Sequence, residues 1–131
     1  MTLSGVLLWF HLLGMAVWIG GMITVGAIVP SLRRSGASAE QLRAMARAFG
    51  RVSWVALGLL VATGVWQLAL ADEGELDRTA FGIKLLLVGV AASFALVHQM
   101  TARTASPAAR GIVQGLILLS SLGVLAAAVA L

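Results

Sequence analysis

One residue of the first hydrophobic run can titrate near neutral pH or bind a metal strongly. It is His11, in the phrase Phe10-His11-Leu12-Leu13-Gly14-Met15-Ala16-Val17-Trp18-Ile19-Gly20-Gly21-Met22. At about 100° per residue, His11, Met15, Trp18 and Met22 fall on one helical stripe about 60° wide. An imidazole followed by two thioethers is a ladder of soft donors. Such donors suit Cu(I), and imidazole or thioether also suits haem iron. The stripe has a plainer reading too, because methionine fills gaps between packed helices. For Met15 and Met22 both readings stand. An imidazole in hydrocarbon is costly and marks a functional position.

Few other polar groups interrupt the apolar runs: Gln67, Lys84, His98 and Gln114, with Thr63, Ser93, Ser120 and Ser121 as weaker members. Lys84 is placed about 6 Å below the outer surface of its span. Either its chain snorkels outward toward Asp77 and Glu73, or it meets His11 across the bundle. In the second case Trp18, Thr63 and Gln67 complete a polar pocket open to the outside. Depth argues against a bis-histidine haem between His11 and His98 of one chain, and leaves open a pair across a dimer interface. The first lies about 12 Å and the second about 27 Å from the outer surface, whereas axial nitrogens bound to one metal stand only about 4 Å apart. His98 is expected at the cytoplasmic interface, near Arg51 or Arg103.

The elements that position these residues can be read from composition. Of 131 residues, 60% are hydrophobic and 11% charged, and the mean hydropathy is +1.02. Soluble domains are about 45–50% apolar and about 25% charged, so the chain reads as an integral membrane protein. Four spans are expected, at about 3–29, 52–70, 80–101 and 111–131. Short connections arrange them as an all-α, four-helix up-down bundle in one domain. The first run is read as a retained helix closed by Pro30, not as a signal peptide. Ala37-Ser38-Ala39 has the small residues of a cleavage site, but the charges Arg33 and Arg34 come after the run and none precedes Leu3.

The loop from Ser31 to Arg51 carries five arginines and one glutamate. Ser38-x-x-Gln41 has capping-box spacing, and Arg43, Arg47 and Arg51 then recur along one helical face. The Ala71–Thr79 loop is acidic, and Arg103 and Arg110 flank the last connection. The positive-inside rule places both basic loops in the cytoplasm and both termini outside, in the cytoplasmic membrane of a cell. The same rule accounts for the net charge of +4 and a pI near 11.5, so nucleic acid is not an expected partner; the lipid bilayer is. A path enclosed by so few spans calls for a second copy, a homodimer. Trp54 and Trp66 suit the interfacial aromatic belt. Gly111 and Gly115 have the spacing of a close helix approach.

Several chemistries are excluded. Without cysteine there is no disulfide, thiolate site or iron–sulfur cluster. There is no phosphate-binding glycine loop and no H-E-x-x-H. The spans hold no carboxylate, which argues against a proton relay or a hard-cation cage.

Three stretches together resemble the copper resistance protein D (CopD) domain. They are His11 with Trp18 and Gly20-Gly21 after it; Arg47-Ala48-Phe49-Gly50-Arg51 leading to Thr63-Gly64; and Phe81-Gly82-Ile83-Lys84. The pattern of a first-span histidine and a third-span lysine is also similar to the HemJ type of protoporphyrinogen oxidase. The first resemblance implies copper handling, for which the soft-donor stripe would supply His11, Met15 and Met22 as metal ligands. The second implies haem b or a porphyrin held by His11 and Lys84 in an oxidoreductase. The departures are Gly20-Gly21 where HemJ proteins carry Ala-Gly, and the late Pro30-Ser31-Leu32-Arg33. The larger CopD proteins also have further spans. A scaffold or accessory membrane subunit without a site is the third expectation.

Overall fold

The computed structural model describes residues 1–72, 74 and 77–130. Four α-helices succeed one another: α1, Leu3–Arg34; α2, Ala39–Leu70; α3, Arg78–Thr101; and α4, Pro107–Ala130. All four are long and apolar enough to cross a membrane, as an all-α, multi-pass protein requires. They pair as two antiparallel hairpins, α1 with α2 and α3 with α4, in two units divided near Asp72. Each unit is described by itself.

In the first unit the helices run past the expected spans. Pro30 does not close α1, which continues to Arg34. Proline removes one backbone donor and crowds the carbonyl four residues earlier, at a cost of about 3 kcal/mol in a helix interior. Here it stands one turn from the helix end, where few bonds remain to be disturbed. Arg33 and Arg34 complement the negative end of the helix dipole. The chain then reverses over four residues. Gly36 has φ +86°, its N–H bonds the Arg33 carbonyl at 3.1 Å, and the Ala37 N–H bonds the Leu32 carbonyl at 3.0 Å. These are the two bonds of a Schellman ending, which needs a left-handed residue and so favours glycine. Ser38 opens α2 through the expected capping box. Its hydroxyl accepts from the Gln41 N–H at 3.1 Å, and Gln41 Oε1 accepts from the Ser38 N–H at 2.9 Å.

The register of this hairpin is set where the backbones come close. A Cβ on Gly14 would stand 3.0 Å from Leu60 Cγ and 3.3 Å from the Ala56 carbonyl oxygen, and one on Gly21 would stand 2.8 Å from the Phe49 ring. Leu7, Trp18, Ile19 and Met22 of α1 and Ala56 and Thr63 of α2 are buried. The arginines at 43, 47 and 51 lie on an exposed face of α2. By the same register they stand level with α1 from about Ile19 onward, in a helix with no charge before Arg33. Each helix of the first unit is 32 residues, about 48 Å, against a hydrocarbon core of about 30 Å.

In the second unit Asp77 caps α3, its Oδ1 accepting from Thr79 N–H at 2.9 Å and Ala80 N–H at 3.1 Å. Ser106 caps α4 through Ala109 N–H at 3.1 Å, and Pro107 takes the first helical position, where its missing N–H costs nothing. Ala80, Ala91, Ile117, Ser121, Val124 and Ala127 are buried. Gly111 and Gly115 meet nothing within 4 Å, so their spacing marks no close approach within the hairpin; Gly123, facing Leu87 at 3.7 Å, lies against the partner helix instead.

Candidate functional site

His11 occupies the third turn of α1 and is half-buried. Its Nδ1 lies 2.9 Å from Thr63 Oγ1 on α2. The threonine, only 6% exposed, directs its hydroxyl to the Leu59 carbonyl at 2.7 Å, with the Leu60 carbonyl at 3.3 Å. A hydroxyl has one proton to donate. With that proton on the Leu59 carbonyl, Oγ1 accepts from the imidazole, and Nδ1 carries the ring proton. The lone pair then resides on Nε2. A hydrogen bond at one ring nitrogen that fixes the tautomer and aims the other is how ligating histidines are prepared.

Two further features of α2 support this arrangement. Gly64 lies beside the ring: a Cβ there would stand 3.4 Å from His11 Cε1, in ordinary contact. Gln67 turns back on its own helix, its Nε2 donating to the Thr63 carbonyl at 3.2 Å. Thr63 thus engages His11 through its side chain and Gln67 through its backbone. Of the expected pocket residues, Thr63 meets His11 directly and Gln67 bonds the Thr63 carbonyl within α2.

The soft-donor stripe divides by burial. Met15, one turn after His11, is half-buried. Long helical side chains lean toward the N-terminus, so Met15 is directed along the face that His11 occupies. Trp18 and Met22 are 6% and 4% exposed and belong to the α1–α2 core. Among the described residues, no three His, Asp or Glu side chains gather as a metal site. The soft donor next after His11 along α1 is Met15, one turn on; imidazole and thioether together would suit a soft monovalent ion better than Zn²⁺ or Ca²⁺. An open apolar groove of about 310 Å³ on the same hairpin, lined by Leu13, Val17, Val55 and Leu59 among others, does not include His11.

Lys84 belongs to the second unit and is half-buried in the second turn of α3. Of the acidic residues expected near it, Asp77 is the cap of α3, and Glu73 lies outside the described residues. Ser93, Ser120 and Ser121 donate to carbonyls one turn back in their own helices, which satisfies them without a ligand. His98 stands in the last turn of α3 and interacts electrostatically with Arg110 of α4. By sequence alone Arg110 reads only as a charge at a helix start, and Thr63 as a weaker polar member of a possible pocket, with nothing to mark it as the direct partner of His11. The Thr63-Gly64 pair is the one local signal that points to the threonine.

Compared with protein-family models, with curated proteins and with solved structures, the chain matches none.

Proposed function

We propose that this chain handles Cu(I) at the cytoplasmic membrane, as a CopD-like protein that takes up the ion or passes it across the bilayer. The observation that carries the reading is the 2.9 Å contact of His11 Nδ1 with Thr63 Oγ1, whose hydroxyl is directed to the Leu59 carbonyl. That arrangement favours the ring proton on Nδ1, which makes Nε2 a neutral donor for a soft cation. Met15 is the next donor along the helix face, and Met22 a further one beyond Trp18. Neutral donors suit a membrane interior, where an ion must exchange its water for ligands that bring no uncompensated charge of their own. With the basic turns on the cytoplasmic side, His11 lies in the outer half of the bilayer.

The same Nε2 could instead bind haem iron axially, as a HemJ-like oxidoreductase requires, because one oriented imidazole is enough for that role. Transfer across proteoliposomes tests the first reading. Protein reconstituted with a Cu(I) chelator inside should accumulate Cu(I) faster than empty vesicles, and His11→Ala should return the rate to that of empty vesicles. Transfer no faster than empty vesicles overturns passage. A Soret band in the purified protein that vanishes in His11→Ala replaces copper with haem.

A further inference from the structure

The helices of the first unit approach closely where two small residues meet. Gly14 of α1 and Ala56 of α2 are buried, and a Cβ on Gly14 would stand 3.3 Å from the Ala56 carbonyl oxygen. Around them larger apolar side chains stand out from the seam, among them Leu13 and Val17 on α1 and Val55 and Leu59 on α2. The small pair is thus the floor of the open groove of about 310 Å³, and the larger residues are its walls. The groove ends in a charge. Arg51 is the one charged residue of its lining, and it is exposed. Arg47 and Arg43 precede it at one-turn intervals on the same exposed face of α2. The carboxylates of this unit are Glu40 and Asp72. Glu40 stands about 16 Å from Arg51 along the helix, and Asp72 about 30 Å in the other direction, so neither neutralises it.

We propose that this groove seats an acyl chain of an anionic phospholipid whose phosphate is held by Arg51. The apolar run from Val52 to Leu70 is about 28 Å long, close to the thickness of a hydrocarbon core. Arg51 therefore stands at the headgroup layer, and the groove runs inward from it for about 12 Å, to Leu59. The antiparallel register agrees: Gly21 faces Phe49 and Gly14 faces Leu60, which puts Val17 toward the arginine end and Leu13 deeper. A guanidinium takes phosphate by a fork of charged hydrogen bonds. The α1 face that carries Leu13 and Val17 continues to Gly20, where a Cβ would meet nothing within 4 Å, so a headgroup beside Arg51 has room. Charge also favours a lipid over a second copy of the chain. A twofold dimer on this face would bring two basic rims together, with no carboxylate at that level of α1 or α2 to pair with either. The positive-inside rule needs arginines on one side of the membrane; it does not need one of them in the lining of an apolar groove.

Native mass spectrometry of the full chain, released from mild detergent after equilibration with equimolar phosphatidylglycerol and phosphatidylcholine, tests the site. The wild type should retain one phosphatidylglycerol in preference to phosphatidylcholine. Arg51→Gln should weaken that retention by about tenfold or more, the scale of a lost charged hydrogen bond. Arg51→Lys should fall between, since it keeps the charge but not the fork. Arg43→Gln removes the same charge from the same face two turns away from the groove, and should leave retention unchanged. Val55→Phe, at a position 73% exposed, sets a ring at the groove wall and should lower retention with Arg51 intact. Helical circular dichroism and a single gel-filtration peak check the fold of each variant. Phosphatidylglycerol should also raise the melting temperature of the wild type more than that of Arg51→Gln. Equal losses in Arg43→Gln and Arg51→Gln would reduce the effect to general surface charge and overturn the site. Displacement of the lipid by millimolar inorganic phosphate would overturn the role of the groove. A lipid-free dimer that Val55→Phe dissociates would give the groove to a second copy instead.

Discussion

His11 and Thr63 are joined across the α1–α2 hairpin, Nδ1 to Oγ1 at 2.9 Å, while the threonine hydroxyl gives its proton to the Leu59 carbonyl at 2.7 Å. The pair separates two jobs on one imidazole: one nitrogen is held, the other is offered. Thr63→Val keeps the shape and removes the holder. Loss of such an orienting partner lowers metal affinity about 10–100-fold. Competition for Cu(I) against a chromophoric chelator should show a drop of that size in Thr63→Val and near-wild-type affinity in Thr63→Ser. Unchanged affinity in Thr63→Val would separate the hydrogen bond from ligand binding.

The glycines of α1 and α2 divide into those under close contact and those in the open, and stability should divide the same way. Gly14→Ala drives a methyl toward the Ala56 carbonyl, and Gly21→Ala drives one into the Phe49 ring. Overpacking of this kind costs about 1–3 kcal/mol. Gly20 and Gly26 meet nothing within 4 Å, so alanine there should be neutral or stabilising by up to about 1 kcal/mol through helix propensity. Unfolding midpoints in mixed micelles check the contrast. Gly64→Ala should be tolerated, since its methyl would meet the His11 ring at an ordinary contact distance of 3.4 Å.

The turn between α1 and α2 rests on two residues with different tasks. Ser38→Ala removes one half of the capping box and should cost about 1 kcal/mol. Gly36→Ala forces a side chain into φ +86° and should cost about 1–2 kcal/mol. The two sites are neighbours in one turn, so the double variant is expected to depart from additivity. Unfolding midpoints of the two single variants and the double variant supply the cycle.

Much of this fold can be read from residue types alone. The run from Leu3, the Ser38–Gln41 spacing and the acidic and basic connections each express a local rule: apolar length, capping geometry, charge beside a span. Pro30 misleads because proline near a helix end disturbs few bonds. Where α1 stops is decided instead by the Gly36 turn beyond it. The Gly111–Gly115 spacing misleads because a motif does not say which face of the helix meets a neighbour. At the site, His11 stands out as a cost in hydrocarbon. Its partner Thr63 does not, because a threonine 52 positions away is brought to it only by the hairpin register, which long-range packing sets. Arg110 is hidden for the same reason.

Burial of the soft-donor stripe separates its two methionines. Met15 is half-buried, and Met22 is 4% exposed in the hairpin core. Met22→Ala should therefore cost about 2–5 kcal/mol in stability. Met15→Leu should leave stability within about 1.5 kcal/mol, as volume-conserving exchanges do, and yet lower Cu(I) stoichiometry. If Met15→Leu binds as the wild type does, the stripe is packing and the imidazole stands alone.

If His11 Nε2 is a ligand position held open by Thr63, copper itself should report it. The most direct measurement is Cu(I) titration of the detergent-purified wild type and His11→Ala, combined with X-ray absorption at the copper edge. The wild type should show one imidazole in the copper shell and sulfur scattering from Met15, and His11→Ala should lose that site. A His11→Ala protein that binds Cu(I) with wild-type affinity, or a wild-type copper shell without imidazole, would contradict the assignment.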